Sequence, residues 1–319
     1  MSYQPLVSDR LPSSTRGSNN RFKDATTRGG PNMLDDSEIR GHRFPGGRYT
    51  IAHWENFLLT DCTTAPQLPD GMVHPVALFH VPILGCGVSI TELFDICGAE
   101  GTGSVGLDGY DWEYFKTLTI DTEYVASGSI VHWEHRLDDQ GRPFDSMKFA
   151  IELHETSAPS NLVARATNTW RFRRAPASAA YEKFVDVPPP NSTPIPDFVV
   201  ESVDPQRMKT MAAILRDPYR VHWDRDATTA MGLGGRVINQ GPLNVSYIAN
   251  ALHNFAGVGC IRRLTVNFHR PVFDGDRVIA GGRVSESRDP SGCREVQVWL
   301  KRNDPMLDEI VVSGRALID

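Results

Sequence analysis

The chain has 319 residues, 40% hydrophobic and 23% charged, with a formal net charge of −6, a composition that suits a globular protein with room for two domains. The acidic balance argues against a nucleic-acid surface, and no apolar run approaches the length of a membrane span. Cys62, Cys86, Cys97, Cys260 and Cys293 lack paired metal-type spacing and read as reduced thiols of a cytoplasmic protein.

Residues 1–47 are rich in Ser, Arg, Asn, Gly and Pro, so a disordered tail is expected there. A first domain is expected over 48–174. It opens with IAHWENFLL, and PVALFHVPILGCGVSITELFDICGAE is long enough to contain a buried helix. Gly101-Thr-Gly103-Ser-Val-Gly106 fits a dinucleotide-binding pattern, but it follows a helix and precedes WEYF, a strand start. That order is the reverse of what the pattern needs, so the run reads as the exit from the helix, and no cofactor loop is expected. Strand-like runs follow: WEYFKTLTI, EYVASGSIVHWEHRL, SMKFAIELHET and LVARATNTWRFRR, separated by turn-forming residues. Tyr110, Trp112, Tyr114 and Trp133 are candidates for a pocket lining, although aromatic residues in sheets are more often core. His132, His135 and His154 lack a third ligand at suitable spacing, and no metal is expected.

Residues 175–196, APASAAYEKFVDVPPPNSTPIP, are rich in Pro, Ala and Ser and read as a linker to a second domain over 197–319. This second half holds the run on which function turns, DPYRVHWDRDATTAMGLGGRVINQGPL, from Asp217 to Leu243. Asp217 and His222 are five residues apart, and Pro218 prevents a regular helix, so both side chains are expected to project from a loop toward one water. Gly241-Pro242-Leu243 opens an apolar run in which Leu243, Ile248, Ala251 and Leu252 fall at roughly helical spacing, and Pro242 suits a first turn. A helix starting near Gly241 presents free N–H groups, which favour a developing oxyanion. Strand-like runs follow once more: RRLTVNFHRPV, DRVIAGGRVSESR, REVQVWLKR and EIVVSGRALI. Arg262, Arg263, Arg270 and Arg277 are candidates for phosphate contacts, with a solvated sheet edge the alternative for at least half of them.

RVHWDRD resembles the I-H-Y-D-R-D form, and INQGPL the V-H-G-P-L form, of the MaoC-like hydratase/dehydratase family. The resemblance implies that Asp217 and His222 hold and activate water and that the Gly241 N–H binds a thioester carbonyl. Tyr219 stands where many members have Asn, and Gln240 stands where His is common. Tyr219, Asn239 and Gln240 are accordingly the expected substrate-binding positions. The resemblance also implies an α+β double hotdog, in which two antiparallel sheets each wrap a long central helix. An internal repeat supports duplication: FKTLTIDTEYVASGSIV and FHRPVFDGDRVIAGGRV align without a gap at a constant offset of 153 residues, from Phe115 to Phe268 and from Gly128 to Gly281.

The implied activity is that of a hydro-lyase acting reversibly on a 2-enoyl thioester. The alternatives are a hotdog thioesterase and a non-catalytic acyl-binding protein. No bound cofactor is expected, since coenzyme A or an acyl carrier protein would serve as the handle of a small-molecule acyl thioester. The two halves are expected to form a pseudo-dimer within one chain, which could itself pair as a homodimer, with no membrane or nucleic-acid partner. The first half lacks an Asp-x4-His run and is expected to be structural, shaping the substrate channel, so replacing His80 or His132 should leave turnover within a few-fold.

Overall fold

The computed structural model describes residues 34–175, 191–304 and 307–319. The elements in chain order are α1 (Asp36–Ile39), β1 (Gly47–Thr50), α2 (His53–Cys62), α3 (His80–Gly85), α4 (Ile90–Ile96), β2 (Val105–Tyr114), β3 (Glu123–Leu137), β4 (Pro143–Glu155) and β5 (Ala158–Arg173). The second half contains β6 (Ser192–Pro194), β7 (Phe198–Val200), α5 (Pro205–Leu215), α6 (Arg225–Ala230), α7 (Gly241–Ala256), β8 (Ile261–Phe268), β9 (Val278–Arg288), β10 (Arg294–Asp304) and β11 (Leu307–Ile318).

All eleven strands join one sheet in the order β1-β3-β4-β5-β2-β8-β11-β10-β9-β6, with β7 also on β9. The order is a mirror image about the β2–β8 pair. β3-β4-β5-β2 on one side answers β9-β10-β11-β8 on the other, and the short strands β1 and β6/β7 cover the two outer strands. This arrangement is the duplication expected from the repeat. Gly128 and Gly281 sit at matching places in β3 and β9, and both positions are tight. A Cβ would lie 2.5 Å from the Ala150 carbonyl at the first and 2.6 Å from Asp197 Oδ1 at the second.

Strand β10 shows how sequence makes a half-buried sheet: Val296, Val298 and Leu300 are fully buried, alternating with Gln297, Trp299 and Lys301. Against the buried face of the second half lies α7, packed on β8, β9, β10 and β11. From Gly241 to Leu252 every residue of α7 is buried, so this helix is apolar nearly all round. Its polar side chains find partners inside: Asn244 accepts from Asn239 Nδ2 at 2.7 Å, Ser246 Oγ donates to the Leu243 carbonyl, and Asn250 Nδ2 donates to the Thr63 carbonyl at 2.8 Å.

The first half departs from the expectation of one long central helix. A 3₁₀ turn over Pro75–Leu78 leads into α3, and α4 follows at a bend of 64°. The cause is local. At Gly85 a Cβ would meet the Ala126 Cβ of β3 at 2.9 Å, and Gly87 takes a left-handed φ of 72°. A new helix then starts from Ser89, whose side chain forms a capping box with Glu92.

Three boundaries also shift. Strand β2 begins at Val105 and ends at Tyr114, so Phe115 to Ile120, read as strand, lie beyond it. The expected disordered tail, 1–47, is ordered from residue 34: Ile39 and Phe44 are buried, and α1 packs on β3. The expected linker ends early, since Ser192–Pro194 pair with β9. The rest of the expected tail and linker, residues 1–33 and 176–190, lies outside the described residues. No helix among the described residues is long and apolar enough to cross a membrane on its own.

Candidate active site

The Asp217–His222 loop leaves α5 through Arg216, which takes a left-handed φ of 50° and closes the helix; the Asp217 N–H then returns to the Ala212 carbonyl at 2.9 Å. Pro218 prevents further helix, and a single 3₁₀ turn over Arg220–His222 carries the chain back. The loop is tied at both ends. Asp217 Oδ1 accepts the Tyr219 N–H at 2.9 Å, and the Ile238 N–H donates to the Val221 carbonyl at 2.8 Å. This second bond places His222 beside the segment that enters α7.

His222 Nδ1 lies 2.7 Å from the Ile238 carbonyl. A carbonyl only accepts, so Nδ1 carries a proton and Nε2 is the nitrogen turned outward. That nitrogen faces Asp217 Oδ2 at 3.5 Å, with the side chains 13% and 9% exposed. Burial raises the Asp217 carboxyl above its ordinary value, and the His222 charge and the Tyr219 N–H only partly oppose the rise. The pair therefore consists of a buried carboxyl group and an imidazole nitrogen that face each other.

Gly241 begins α7. The preceding Gln240 makes no side-chain cap, so the first N–H groups of the helix are left bare of side-chain partners. Only glycine fits: a Cβ at 241 would sit 2.1 Å from Leu107 Cδ1, 3.0 Å from Tyr110 Oη and 3.2 Å from Phe268 Cζ. The corresponding turn in the first half, His74-Pro75-Val76, is closed by its own side chain, because His74 Nδ1 accepts the Val76 N–H at 3.2 Å. Its Nε2 donates to Asn250 Oδ1 at 3.0 Å, and burial pushes the ring down to about 3.

Of the three expected substrate-binding residues, Tyr219 uses its hydroxyl inside the protein, whereas Asn239 and Gln240 use their amide NH2 groups and leave Oδ1 and Oε1 buried without a hydrogen-bond partner among the described residues. The Tyr219 hydroxyl accepts from the Gly103 N–H at 2.7 Å and from the Val105 N–H at 3.1 Å, and donates to the Val105 carbonyl. The G-x-G-x-x-G run is thus a socket for Tyr219, whose ring lies 5.8 Å from that of His222. Phe94 of α4 packs on Tyr219 at 5.3 Å, so the displaced helix of the first half covers the loop of the second. Gln240 Nε2 donates to the Met208 carbonyl at 2.7 Å, and Asn239 Nδ2 to Asn244. Both residues hold the entry to α7 in place. The four arginines weighed as phosphate contacts all face carboxylates: Arg262 with Asp319, Arg263 with Asp111, Arg270 with Glu309 and Arg277 with Glu201.

Sequence reasoning left one neighbour of the site in the core. Tyr110 of β2 reaches across the seam to Gly241, and a β-bulge is the reason. The β2–β5 register shifts between Leu107 and Gly109, which brings Leu107 and Tyr110 onto the same side, both against Gly241. Alternation alone would have placed them on opposite faces.

Two antiparallel halves paired through their central strands, with a buried helix against the face of the second, define a double-hotdog protein. The fold is the one shared by MaoC-like dehydratases. Similar solved structures include a MaoC-like dehydratase from Phytophthora capsici, with TM-score 0.66 and 12% identity over 89% of this chain and 97% of that one. Full-length peroxisomal multifunctional enzyme type 2 from Drosophila melanogaster gives a TM-score of 0.60 and 13% identity, covering 86% of this chain and 48% of that one. A Mycobacterium tuberculosis protein described as having a double hotdog fold gives 0.57 and 12%, over 88% and 96%. Residues 244–306 match the family model of the thioesterase superfamily. No curated protein matches the sequence. At these identities the likeness establishes the fold, and function rests on the geometry of the site.

Proposed function

We propose that the protein is a hydro-lyase that adds water reversibly across the C2–C3 double bond of a 2-enoyl thioester. The observation that carries this reading is the buried Asp217–His222 pair beside the uncapped, glycine-only N-terminus of α7. With Nδ1 of His222 held by the Ile238 carbonyl, Nε2 faces Asp217 Oδ2 at 3.5 Å, and in the neutral ring both atoms would be acceptors. A water that donates one hydrogen to each satisfies both and has its oxygen lone pairs free for C3. As the C–O bond forms at C3, a water proton passes to this pair and negative charge gathers on the thioester oxygen; the pair then returns that proton to C2, which discharges the oxygen. The Gly241 N–H would meet that charge, and such a donor contributes about 3 kcal/mol when correctly aimed. The raised affinity of Asp217 for a proton suits a base that must take one and give it back. Coenzyme A or a carrier protein would serve as the handle, and the chain needs no further cofactor for this reaction.

A thioesterase is the second reading, favoured by the family model. That match begins at Asn244, after both the acid–imidazole loop and Gly241, so it speaks for the helix and strands more than for the chemistry. The test is to incubate the protein with short, branched and aromatic enoyl thioesters and follow both the conjugated-thioester absorbance and free thiol. Loss of absorbance without thiol release is the expected result. Thiol release would support the thioesterase, and no change in either would support an acyl-binding protein.

A further inference from the structure

The neighbours of Gly241 include a hydroxyl without a hydrogen-bond partner among the described residues. Tyr110 is 2% exposed, and its Oη is buried without a hydrogen-bond partner among the described residues. The other aromatic groups of the same strand are satisfied: Trp112 Nε1 donates to Asn168 Oδ1 at 3.1 Å, and the Tyr114 hydroxyl donates to the Pro75 carbonyl at 3.0 Å. The Tyr110 ring cannot turn away to find a partner. It stacks on Trp112 at 4.6 Å and is fixed edge-on by Phe268 at 5.0 Å, with Phe79 against it at 5.8 Å. Its oxygen is aimed at the start of α7, 3.0 Å from the position of a Gly241 Cβ. A buried hydroxyl held rigidly without a partner, at the end of a helix whose N–H groups are also free, marks a place where an acceptor belongs.

We infer that Tyr110, on the central strand of the first half, donates its hydroxyl hydrogen to the thioester oxygen alongside the Gly241 N–H, so that the oxyanion site is shared between the two halves. The inference rests on the hydro-lyase reading for its substrate. Two donors converge on one oxygen, one from each hotdog, across the β2–β8 seam that pairs Tyr110 with Val266. Burial holds the phenol far above its ordinary value, and the Asp217 charge adds to the rise, so the hydroxyl keeps its proton throughout the working range. The sequence expectation that the first half only shapes the channel is then incomplete, because this half supplies a group that touches the substrate.

Tyr110→Phe keeps the stacked ring and removes only the oxygen. With an enoyl thioester, kcat should fall about 10²- to 10³-fold while KM changes little, as for other single oxyanion donors. The melting temperature should stay level or rise, because the variant removes an unsatisfied buried group. Tyr114→Phe, which removes a satisfied hydroxyl on the same strand, should lower the melting temperature and leave kcat within a few-fold. A second readout needs no turnover: an acetoacetyl thioester bound to an oxyanion site shifts toward its enolate, visible by absorbance. The wild type should show the enolate, and Tyr110→Phe should show it at least tenfold less. Failure of the wild type to hydrate any enoyl thioester would count against the hydro-lyase reading, while the enolate measurement would still decide Tyr110. Equal enolate signals from wild type and variant, including none from either, or an unchanged kcat in Tyr110→Phe, would overturn the inference.

Discussion

Asp217 is a buried carboxyl group held at a cost to stability. Its carboxylate is nearly buried and its pKa is raised by that burial, so folding with the charge in place is unfavourable. The linkage follows: a carboxyl whose folded pKa lies above the unfolded value contributes stability at low pH, and that contribution is lost as pH rises through the folded value. Asp217→Asn should therefore raise the melting temperature at pH 7, and the gain should disappear below about the ordinary value of 3.8, where both states are protonated. The same variant should lower turnover about a hundredfold or more, as should His222→Ala, and the double variant should be little worse than either because both act on one water. Thermal melts across pH together with steady-state rates check this pairing. A melting temperature that falls at pH 7 would show that the carboxylate is stabilised rather than strained. Gly241→Ala should reduce both properties. Its Cβ would meet Leu107, Tyr110 and Phe268 within 3.2 Å, which costs about 1–3 kcal/mol by overpacking and displaces the oxyanion donors.

Among the elements, the short helices of the first half depend on ion pairs that the sequence leaves unconnected. Glu55 of α2 accepts from His80 Nε2 of α3 at 2.8 Å and from the Tyr49 hydroxyl at 2.8 Å, with both members of the pair almost fully buried. Burial alone would raise Glu55, but His80 and Tyr49 hold it below its ordinary value. Its contribution is thus present at neutral pH and lost as pH falls. His80→Ala should destabilise the protein by about 3–5 kcal/mol by leaving a carboxylate buried without its partner, measured by denaturant unfolding. Any drop in activity should track the unfolded fraction, in keeping with a structural role. At the other side of the sheet, His135 sits between Asp145 at 2.5 Å and Asp36 at 2.6 Å, clasping α1 to β3. These carboxylates, Asp145 first, raise the His135 pKa. The clasp is complete below about 6.5 and loosens as pH rises through the elevated value, and its effect is modest because His135 is 59% exposed. Hydrogen exchange of the α1 amides should quicken at alkaline pH in the wild type, and should be fast throughout in His135→Ala.

At the scale of the molecule, the β2–β8 seam makes one eleven-stranded sheet from two five- or six-stranded halves. Each half alone would expose a long central strand as an unpaired edge. Residues 197–319 expressed alone should therefore self-associate through β8, as size-exclusion chromatography would show. A monomeric, active fragment would contradict both this expectation and a Tyr110 contribution. His132, exposed on β3 and paired with Glu134, gives the control: its replacement by Ala should leave turnover and stability unchanged.

The sequence by itself determined what local pattern determines. The period-2 runs marked β3 and β9–β11 closely, Gly241-Pro242 marked the start of α7, and Asp217, Pro218 and His222 marked the loop that carries the acid–imidazole pair. The gapless repeat announced two similar halves before any pairing was known. Only the tertiary structure decided what depends on contacts between distant segments. The first central helix breaks because Gly85 must lie against Ala126, a contact no helical periodicity records. Asn239 and Gln240 look available in sequence, but their amides are needed to satisfy backbone and side-chain groups around α7, and the Tyr219 hydroxyl is taken by Gly103 and Val105. Tyr110 reads as a candidate pocket lining that leans to core, because aromatic residues in sheets are more often core. A bulge two residues earlier, and a partner strand more than 150 residues away in sequence, turn its hydroxyl onto the N-terminus of α7.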